Sequence, residues 1–315
     1  MGFEWTRALR VLIPLAVTAS ALVAAPAQAA PACADRGEGA PVEVARVPDW
    51  AESIAVDAAG RMFVTGLYGG RVYRIDAPGR TPVPLTGNIG ANGGVVVRPD
   101  GRLLVGTGND VLHSVTGDFL PVSELLLVDP ETGASSTYAS GLGGIDGVAL
   151  APDGTVYTTT LGGRGIGRVT PDGRVTPVWA KVAQPNGIAV SPDGRAVYVV
   201  QTTVAPGLYR IPVDDPGHPS RLVSAGPADV LALPDGLTLD RAGRPLIATH
   251  ASGQVWRVEG VEEGAGAPRL CAVESGLHLS TQLVYGRGAG SFAAGRLYRA
   301  GVDGRILEVP AGAAG

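Results

Sequence analysis

The sequence has few of the residues on which several classes of protein depend. It carries two cysteines in 315 residues and no paired-cysteine metal motif, which argues against a structural zinc site. It has no Gly-x-Ser-x-Gly segment and no His-Glu-x-x-His segment, so two common hydrolase motifs are absent. Its formal net charge is −4 and only Lys181 is lysine, so neither nucleic acid nor an anionic membrane is an expected partner.

Long apolar runs are also scarce, and the clearest one lies at the N-terminus. Two arginines precede the apolar residues 11–25, and small residues at 27 and 29 provide a cleavage site before Ala30. This is the pattern of a signal peptide, and the run is too short for a good membrane anchor. We therefore expect residues 1–29 to be removed near Ala29 and the protein to be secreted.

Glycine-containing turns recur along the rest of the chain. Residues 184–198, Q-P-N-G-I-A-V-S-P-D-G-R-A-V-Y, have the pattern of a strand, a tight turn and a second strand. In five copies a leading residue lies eight positions before the turn glycine, and a degenerate sixth copy starts near Thr281. The six leading residues are spaced 41, 53, 40, 49 and 46 positions apart: Glu52, Gly93, Asp146, Asn186, Asp235 and Thr281. A four-stranded antiparallel blade needs about 40 to 50 residues, so the sequence predicts an all-β, six-bladed β-propeller.

The two ends of the chain are expected to close the ring of blades. The last repeat supplies only three strands, and residues 42–47 can supply the fourth. The propeller would then span residues 41–310, after an N-terminal segment of residues 30–40 and before a tail of residues 311–315. Seven blades is the alternative. A closed ring leaves the terminal blades mutually protected, so a monomer is expected.

The two cysteines have one natural interpretation in an exported chain. Secreted proteins form disulfides, so Cys33 and Cys271 are predicted to be bridged, with two unpaired thiols as the alternative. The bridge would tie the N-terminal segment to the outer edge of the fifth blade.

The leading residues are candidates for a metal site. The innermost strand of each blade begins beside the propeller axis, so these residues should form a ring on one face. Three carboxylates and an amide on one axis would suit a hard divalent ion such as Ca²⁺, with Zn²⁺ or Mn²⁺ as alternatives. The predicted ligands are Glu52, Asp146, Asn186 and Asp235. The alternative is that the Asp-Gly and Asn-Gly pairs are turn residues that cap the local backbone.

Further polar residues are expected on the same face. The second repeat carries an insertion, residues 108–123, that would cover the mouth of the channel as a partial lid or else form a long surface loop. The candidate residues of the pocket wall are Asn109, Asp110, His113, Thr160, His250 and His278.

Three segments carry a family resemblance. P-N-G-I-A-V-S-P-D-G at 185–194, P-D-G-L-T-L-D-R-A-G at 234–243 and W-A-E-S-I-A-V-D-A-A-G at 50–60 resemble signature segments of the senescence marker protein, gluconolactonase and luciferin-regenerating enzyme family. The resemblance covers nearly the whole chain after the signal peptide. Related segments also occur in strictosidine synthase-like and NHL-repeat propellers.

The resemblance implies a six-bladed propeller with one divalent metal at the top of the channel. The family ligands fall on Glu52, Asn186 and Asp235, and on Asp146 where the family has asparagine. The resemblance also implies that Asp235 is the general base. Sugar lactonases of the family have a substrate-binding arginine two residues before Asp146, whereas this chain has Gly144 there.

Three functions remain open at this point. The first is a secreted, metal-dependent hydrolase of a lactone or related ester, in which the ion polarises the carbonyl of a small-molecule substrate and Asp235 is the general base. The second is a non-catalytic propeller that binds a peptide, a glycan or a protein. The third is a metal-independent lyase or cyclase of the strictosidine synthase-like kind. The ring of carboxylates favours the first.

Overall fold

The computed structural model describes residues 30–110, 116–203, 205–261, 266–288 and 290–310. These residues form 24 strands, arranged as six four-stranded antiparallel sheets, and two short 3₁₀ helices at Gly117–Phe119 and Pro227–Asp229. The predicted all-β, six-bladed propeller is therefore confirmed. The predicted signal peptide and the predicted tail, residues 311–315, lie outside the described residues. Across the described ranges, no helix has the length and apolarity needed to cross a membrane.

The strands follow one another from the axis outwards in each blade. The first blade contains β2 (Ala51–Val56), β3 (Met62–Gly66), β4 (Val72–Ile75) and β5 (Val83–Pro84). The second contains β6 (Ala91–Val97), β7 (Leu103–Thr107), β8 (Ser123–Val128) and β9 (Ser135–Leu142). The third contains β10 (Val148–Leu150), β11 (Val156–Thr159), β12 (Gly165–Val169) and β13 (Val175–Lys181). The fourth contains β14 (Pro185–Val190), β15 (Ala196–Gln201), β16 (Gly207–Pro212) and β17 (Ser220–Ser224). The fifth contains β18 (Pro234–Leu239), β19 (Pro245–Thr249), β20 (Val255–Glu259) and β21 (Arg269–Glu274). The sixth contains β22 (Ser280–Tyr285), β23 (Leu297–Gly301), β24 (Arg305–Val309) and β1 (Val42–Arg46).

This order gives the propeller two different faces. The face at which the innermost strands begin is called the ring face. It carries the loops between second and third strands and the connections between blades. The opposite face carries the tight hairpin turns that follow the innermost strands.

The apolar core lies between the blades. Six clusters of buried side chains each join two neighbouring blades, so that together they run once around the ring. Phe63 of the first blade packs in the same cluster as Val105 of the second, and Tyr198 of the fourth packs with Trp256 of the fifth. Burying one such side chain contributes about 1.5 to 3 kcal/mol. The apolar residues at alternate positions of each strand therefore pack one face of its sheet against the neighbouring blade.

Pairing of the terminal strands closes the ring, as predicted. Strand β1 pairs antiparallel with β24, with Val42 opposite Glu308 and Arg46 opposite Arg305. The Glu43 carboxylate accepts hydrogen bonds from the guanidinium groups of Arg46 and Arg305 across this seam. These exposed ion pairs contribute little, so the ladder hydrogen bonds and the buried cluster behind them hold the seam together.

Glycines next to the ring residues allow the innermost strands to approach one another. A Cβ atom on Gly187 would lie 2.3 Å from the carbonyl oxygen of Asp235, and one on Gly236 would lie 2.2 Å from that of Thr281. Both glycines lie within strands, in β14 and β18. The Asn-Gly and Asp-Gly pairs are therefore not turn residues at these two positions. Their glycines admit the backbone of the next blade and thereby set the spacing of the ring.

The N-terminal segment is fastened to the fifth blade. Cys33 and Cys271 form a disulfide, and the backbone N–H of Cys33 donates to the carbonyl oxygen of Ala272 at 2.9 Å. The N–H of Ala272 donates in turn to Pro31. Residues 31–33 thus run along β21 and cover part of the outer edge of that blade.

Removal of the disulfide is expected to destabilise the protein. The two cysteines are 238 residues apart in sequence, and closing so long a loop in the unfolded chain corresponds to at most about 5 kcal/mol in the chain-entropy model. Urea unfolding should therefore give a lower midpoint for the Cys33→Ser, Cys271→Ser double variant than for the wild type. The wild type in reductant should match the variant, and equal midpoints in oxidising buffer would contradict the expectation.

Candidate functional site

Four of the six ring residues bring side-chain oxygens together at the mouth of the channel. The carboxyl groups of Glu52 and Asp146 lie side by side, and Asn186 is hydrogen-bonded to Asp235. The side-chain amide of Asn109 donates to Glu52 Oε1 and to Asp146 Oδ1, each at 2.9 Å. The structure thus joins five side chains, from four blades and the insertion, into one polar cluster, called the acid ring below.

Burial dominates the electrostatics of the acid ring. It raises the pKa of Glu52 well above its usual value, and the charges of Asp146 and Asp235 raise it further. Burial also raises the pKa of Asp146 to about 6, and burial together with the charge of Asp146 raises the pKa of Asp235 well above its usual value. Of the Asp235 side chain, 17% remains exposed. Three carboxyl groups in so little water cannot all be ionised without a positive partner.

One buried oxygen of the ring has no partner. Asp146 Oδ2 is fully buried and accepts no hydrogen bond in the described structure. An unsatisfied buried carboxylate oxygen is costly, and a cation would satisfy it. Carboxylate and amide oxygens are also the ligands that Ca²⁺ prefers. The residues present therefore fit a hard divalent ion.

The carboxylate oxygens of Glu52, Asp146 and Asp235 do not all lie as close to one another as the ligand atoms of a single bound ion. Among the described residues, one group of three His, Cys, Asp or Glu side chains has all its possible metal-ligand atoms within 4.8 Å of one another: Cys33, Glu259 and Cys271. Its two sulfur atoms are joined in the disulfide, so that group is not a free metal site. In the acid ring, the side-chain amide of Asn109 bridges Glu52 and Asp146.

The other two ring positions offer no free ligand. The Thr281 hydroxyl donates to the carbonyl oxygen of Ala51 at 2.8 Å and so links the sixth blade to the first. A Cβ atom on Gly93 would lie 2.0 Å from the carbonyl oxygen of Ile145, so this position serves close packing. The neighbouring Asn92 accepts a hydrogen bond from the backbone N–H of Asn109 at 3.0 Å. Asn92 was missed in the sequence because only the glycine fell on the repeat.

Two of the predicted pocket residues reach the acid ring. Asn109 bridges two acids as described, and His250 Nδ1 lies 3.7 Å from Asp235 Oδ2. Burial is the largest influence on His250 and lowers the pKa of its imidazole. His250 is therefore mostly neutral at pH 7 and can accept a proton.

The other predicted pocket residues are placed differently. Asp110 is exposed beside Asn109 at the start of the insertion, and His113 lies outside the described residues. Thr160 packs against Gly143, where a Cβ atom would lie 2.6 Å from the threonine hydroxyl. His278 is exposed, and its Nδ1 lies 2.8 Å from the carbonyl oxygen of Ala251. Thr160 and His278 therefore contact the backbone of loops on the ring face.

Three ring residues are preceded by a left-handed backbone. Gln184, Leu233 and Leu279 have φ values of 49°, 51° and 65°, and each lies two residues before a ring position. This conformation costs a non-glycine residue about 1 to 2 kcal/mol. It recurs at the same position in three successive blades, so the fold imposes it where each chain turns into its innermost strand.

The channel continues beyond the acid ring as a wide cavity. It has a volume of about 1030 Å³ and is lined by the innermost strands of all six blades, from Ile54 in the first to Leu283 in the sixth. A second cavity of about 630 Å³ lies under the N-terminal segment, against Ala272 and Glu274. The residues that line these two cavities do not include those of the acid ring.

The fold and the ring define a class of protein: a six-bladed propeller with a buried acidic site at one end of its channel. Within that class, residues 160–265 match the family model described as the SMP-30/Gluconolactonase/LRE-like region. The matched stretch contains two of the ring residues, Asn186 and Asp235. The chain is 27% identical over 177 residues to the lactonase drp35 of Staphylococcus saprophyticus, a match that covers 53% of this chain and 52% of that protein. The chain thus spans about half the length of that curated relative.

Solved structures match over most of the chain. A gluconolactonase from Xanthomonas campestris superimposes with a TM-score of 0.65 at 19% identity, covering 89% of this chain and 96% of that one. A calcium-binding protein, regucalcin, from Agrobacterium tumefaciens superimposes with a TM-score of 0.65 at 20% identity, covering 86% and 93%. At these sequence identities, the structural matches support the fold alone. The family model and the relative confirm the resemblance to the senescence marker protein, gluconolactonase and luciferin-regenerating enzyme family.

Proposed function

We propose that the protein is a metal-dependent lactone hydrolase whose active site is the acid ring. The observation that carries this proposal is the buried cluster of three acids and an amide, with one unsatisfied carboxylate oxygen, at the mouth of the channel. The names of the relatives, a lactonase and a gluconolactonase, support the reaction class. The regucalcin named as a calcium-binding protein supports a divalent ion.

The ion would be held by Glu52, Asp146, Asn186 and Asp235. Ca²⁺ suits these oxygen ligands best, with Zn²⁺ and Mn²⁺ as alternatives. A bound ion supplies Lewis-acid polarisation of the lactone carbonyl and stabilises negative charge on its oxygen.

Asp235 is the general base of the proposed reaction. Its carboxylate removes a proton from a water molecule, and the oxygen of that water attacks the carbonyl carbon. The ring C–O bond then breaks, the proton passes to the departing alkoxide oxygen, and the product is a hydroxy acid. A cation bound beside Asp235 would keep its carboxylate ionised at neutral pH, so its action as a base depends on its position next to the attacking water.

His250 and Asn109 act on the acids of the ring. The neutral imidazole of His250 lies 3.7 Å from Asp235 Oδ2, and a small movement that closes this gap to a hydrogen bond would let it orient the carboxyl group during the reaction. Asn109 donates to both Glu52 and Asp146, which fixes the start of the insertion beside the ring. Asp146 and Asn186 are buried, and the low polarity around them strengthens charge interactions within the site.

Export is part of the proposal. The arginines, the apolar run and the small residues of residues 1–29 support a signal peptide, and a disulfide at Cys33 suits an oxidising compartment. The substrate is a small molecule, and we propose a monomer without nucleic acid or membrane as partners. Mass spectrometry of the protein from the medium should give an N-terminus at Ala30, and a retained N-terminal segment would contradict export by cleavage.

A calorimetric titration tests the proposed cation site. Ca²⁺, and separately Zn²⁺ and Mn²⁺, would be titrated into chelator-treated protein, and the loaded protein assayed on a panel of lactones. One-to-one binding is expected, weakened in an Asp146→Asn variant and unchanged in Asp214→Asn, whose exposed carboxyl lies in the fourth blade. Absence of both binding and hydrolysis would refute the proposal and favour a non-catalytic binding propeller.

A further inference from the structure

The two faces of the propeller differ in their exposed side chains. In the part of the chain that the structure describes, eight of the eleven exposed large apolar residues lie on the ring face. Trp50, Tyr68, Phe119, Leu231 and Leu279 are among them, and they come from five different loops or connections. The other three, Val42, Val83 and Val178, lie on outermost strands.

The opposite face is built from charged turns instead. The hairpin turns there carry ion pairs such as Asp57 with Arg61 at 2.8 Å and Asp240 with Arg244 at 2.7 Å. Apolar exposure is therefore concentrated around the acid ring. Apolar side chains gathered on one face of a soluble domain indicate a binding surface.

Two aromatic side chains of this surface pack against each other. The rings of Trp50 and Tyr68 pack edge to face with their centroids 4.4 Å apart, and 43% and 69% of the two residues are exposed. Trp50 lies two residues before Glu52 in the sequence, at the start of the first blade, and Tyr68 lies between β3 and β4. The pair is thus an exposed apolar surface on the ring face, the face on which the acid ring also lies.

Asp49 holds the aromatic pair in place. Its Oδ1 accepts a hydrogen bond from the backbone N–H of Trp50 at 2.8 Å, and its Oδ2 accepts one from Gly69 at 2.9 Å. A Cβ atom on Gly69 would lie 2.3 Å from that same oxygen, so the loop closes tightly around the carboxylate. A surface ordered before binding loses less conformational entropy when a ligand arrives.

The positions two residues before the ring are mostly apolar as well. They hold Trp50, Ala91, Gly144, Gln184, Leu233 and Leu279, and Gln184 is the one polar side chain among the six. Leu233 and Leu279 are held there by the left-handed backbone described above. A substrate covered in hydroxyl groups would find few hydrogen-bonding side chains at this level of the mouth, whereas an apolar substituent would find matching surface.

We propose, resting on the lactonase activity proposed above, that the substrate is a lactone with an apolar alkyl or aryl substituent and that Trp50 and Tyr68 bind this substituent. The lactone ring enters the acid ring and the substituent lies across the aromatic pair. Burying each methylene group should raise kcat/KM by about fourfold until the aromatic surface is covered.

A series of γ-lactones that differ only in the length of one alkyl chain tests the proposal. In the loaded wild-type protein kcat/KM should rise with each methylene, and a polyhydroxylated lactone should be a poorer substrate than any alkyl lactone. Trp50→Ala should remove most of the dependence on chain length, and Trp50→Phe should retain most of it. Val83→Ala, an exposed apolar residue on an outermost strand, is the matched control and should leave the dependence unchanged.

A binding measurement separates this proposal from the proposed activity. An alkyl tetrahydrofuran, which cannot be hydrolysed, would be titrated against the fluorescence of Trp50 in the wild type and in Trp50→Phe. Saturable quenching in the wild type alone would support the aromatic site even if no lactone were hydrolysed, an outcome that refutes only the activity. Hydrolysis without dependence on chain length would overturn the substrate class, as would Trp50-dependent binding to lipid vesicles or to a second copy of the chain in place of the alkyl probe.

Discussion

Replacement of Asp235 by asparagine is expected to lower kcat/KM for lactone hydrolysis by about 100-fold or more while leaving the fold intact. Asparagine keeps the shape of the side chain and can keep a hydrogen bond to Asn186, but it cannot take a proton from water. Its neighbours in β18 are held by the close approach at Gly236, which the substitution does not touch. Steady-state assays of the cation-loaded variant, with circular dichroism as a check of folding, measure the effect.

Two companion variants make this result specific. His250→Gln removes the imidazole beside Asp235 and should cause a smaller loss, about tenfold, together with a change in the pH profile of kcat/KM. Asp214→Asn, at an exposed turn of the opposite face, should retain full activity. Equal turnover in Asp235→Asn and the wild type would remove Asp235 from the mechanism, whatever the behaviour of the other two.

Chelator-treated protein is expected to become less stable as the pH rises from about 4 to about 7. Burial raises the pKa of Asp146 to about 6 in the folded protein, above its value of 3.8 in the unfolded chain. The folded state therefore binds more protons than the unfolded state, and stability falls with rising pH. The contribution is fully present below pH 3.8 and is lost as the pH passes through about 6. For Asp146 alone it corresponds to about 3 kcal/mol.

A bound cation should reverse this dependence. It replaces the missing protons as the positive partner of the acids, so saturating Ca²⁺ should restore stability at pH 7. Urea unfolding midpoints at several pH values, with chelator and with Ca²⁺, measure both effects. Asp146→Asn in chelator should show a much weaker loss of stability with pH. A wild type whose stability in chelator rises over this range would show that the acids are ionised without a cation.

The repeat of the fold could be predicted from the sequence because each blade begins with the same short pattern of residues. A turn glycine eight residues after a leading residue marks the first hairpin of a blade, and both lie close together in the chain. Strand β9 carries no such local signal. Half of its residues are exposed and two are buried, so its sequence lacks the alternation of apolar and polar positions that marks the inner strands. A buried strand shows an alternation of apolar and polar residues in its sequence, whereas a largely exposed outer strand has few apolar positions and shows no such alternation.

The site was readable only where it follows the repeat. Glu52, Asp146, Asn186 and Asp235 fall on equivalent positions, so their convergence follows from the symmetry of the blades. The role of Asn92 follows from a contact with the insertion, which no repeat governs. The same holds for Asp49, which orders a loop about 20 residues further along the chain.

The backbone conformation of the three left-handed residues could not be predicted from the sequence, for a different reason. Gln184, Leu233 and Leu279 are residue types that rarely adopt a positive φ, so their sequence gave no sign of it. Tertiary contacts impose the conformation: the carbonyl of Leu233 accepts from the N–H of His250, and the N–H of Leu279 donates to the carbonyl of the same histidine. These three positions are therefore a property of the assembled ring.

The seam between β1 and β24 also sets the order in which the molecule can be made. Strand β1 is among the first described residues and its partner is among the last, so the contact spans nearly the whole chain. Contacts between distant parts of a chain form slowly, because a large loop must be closed first. Five blades can assemble from neighbouring residues as the chain becomes available, while the sixth must wait for the final strand. We expect closure of the sixth blade to be the slow step of folding, and a chain that lacks either end to remain an open ring with two exposed edges.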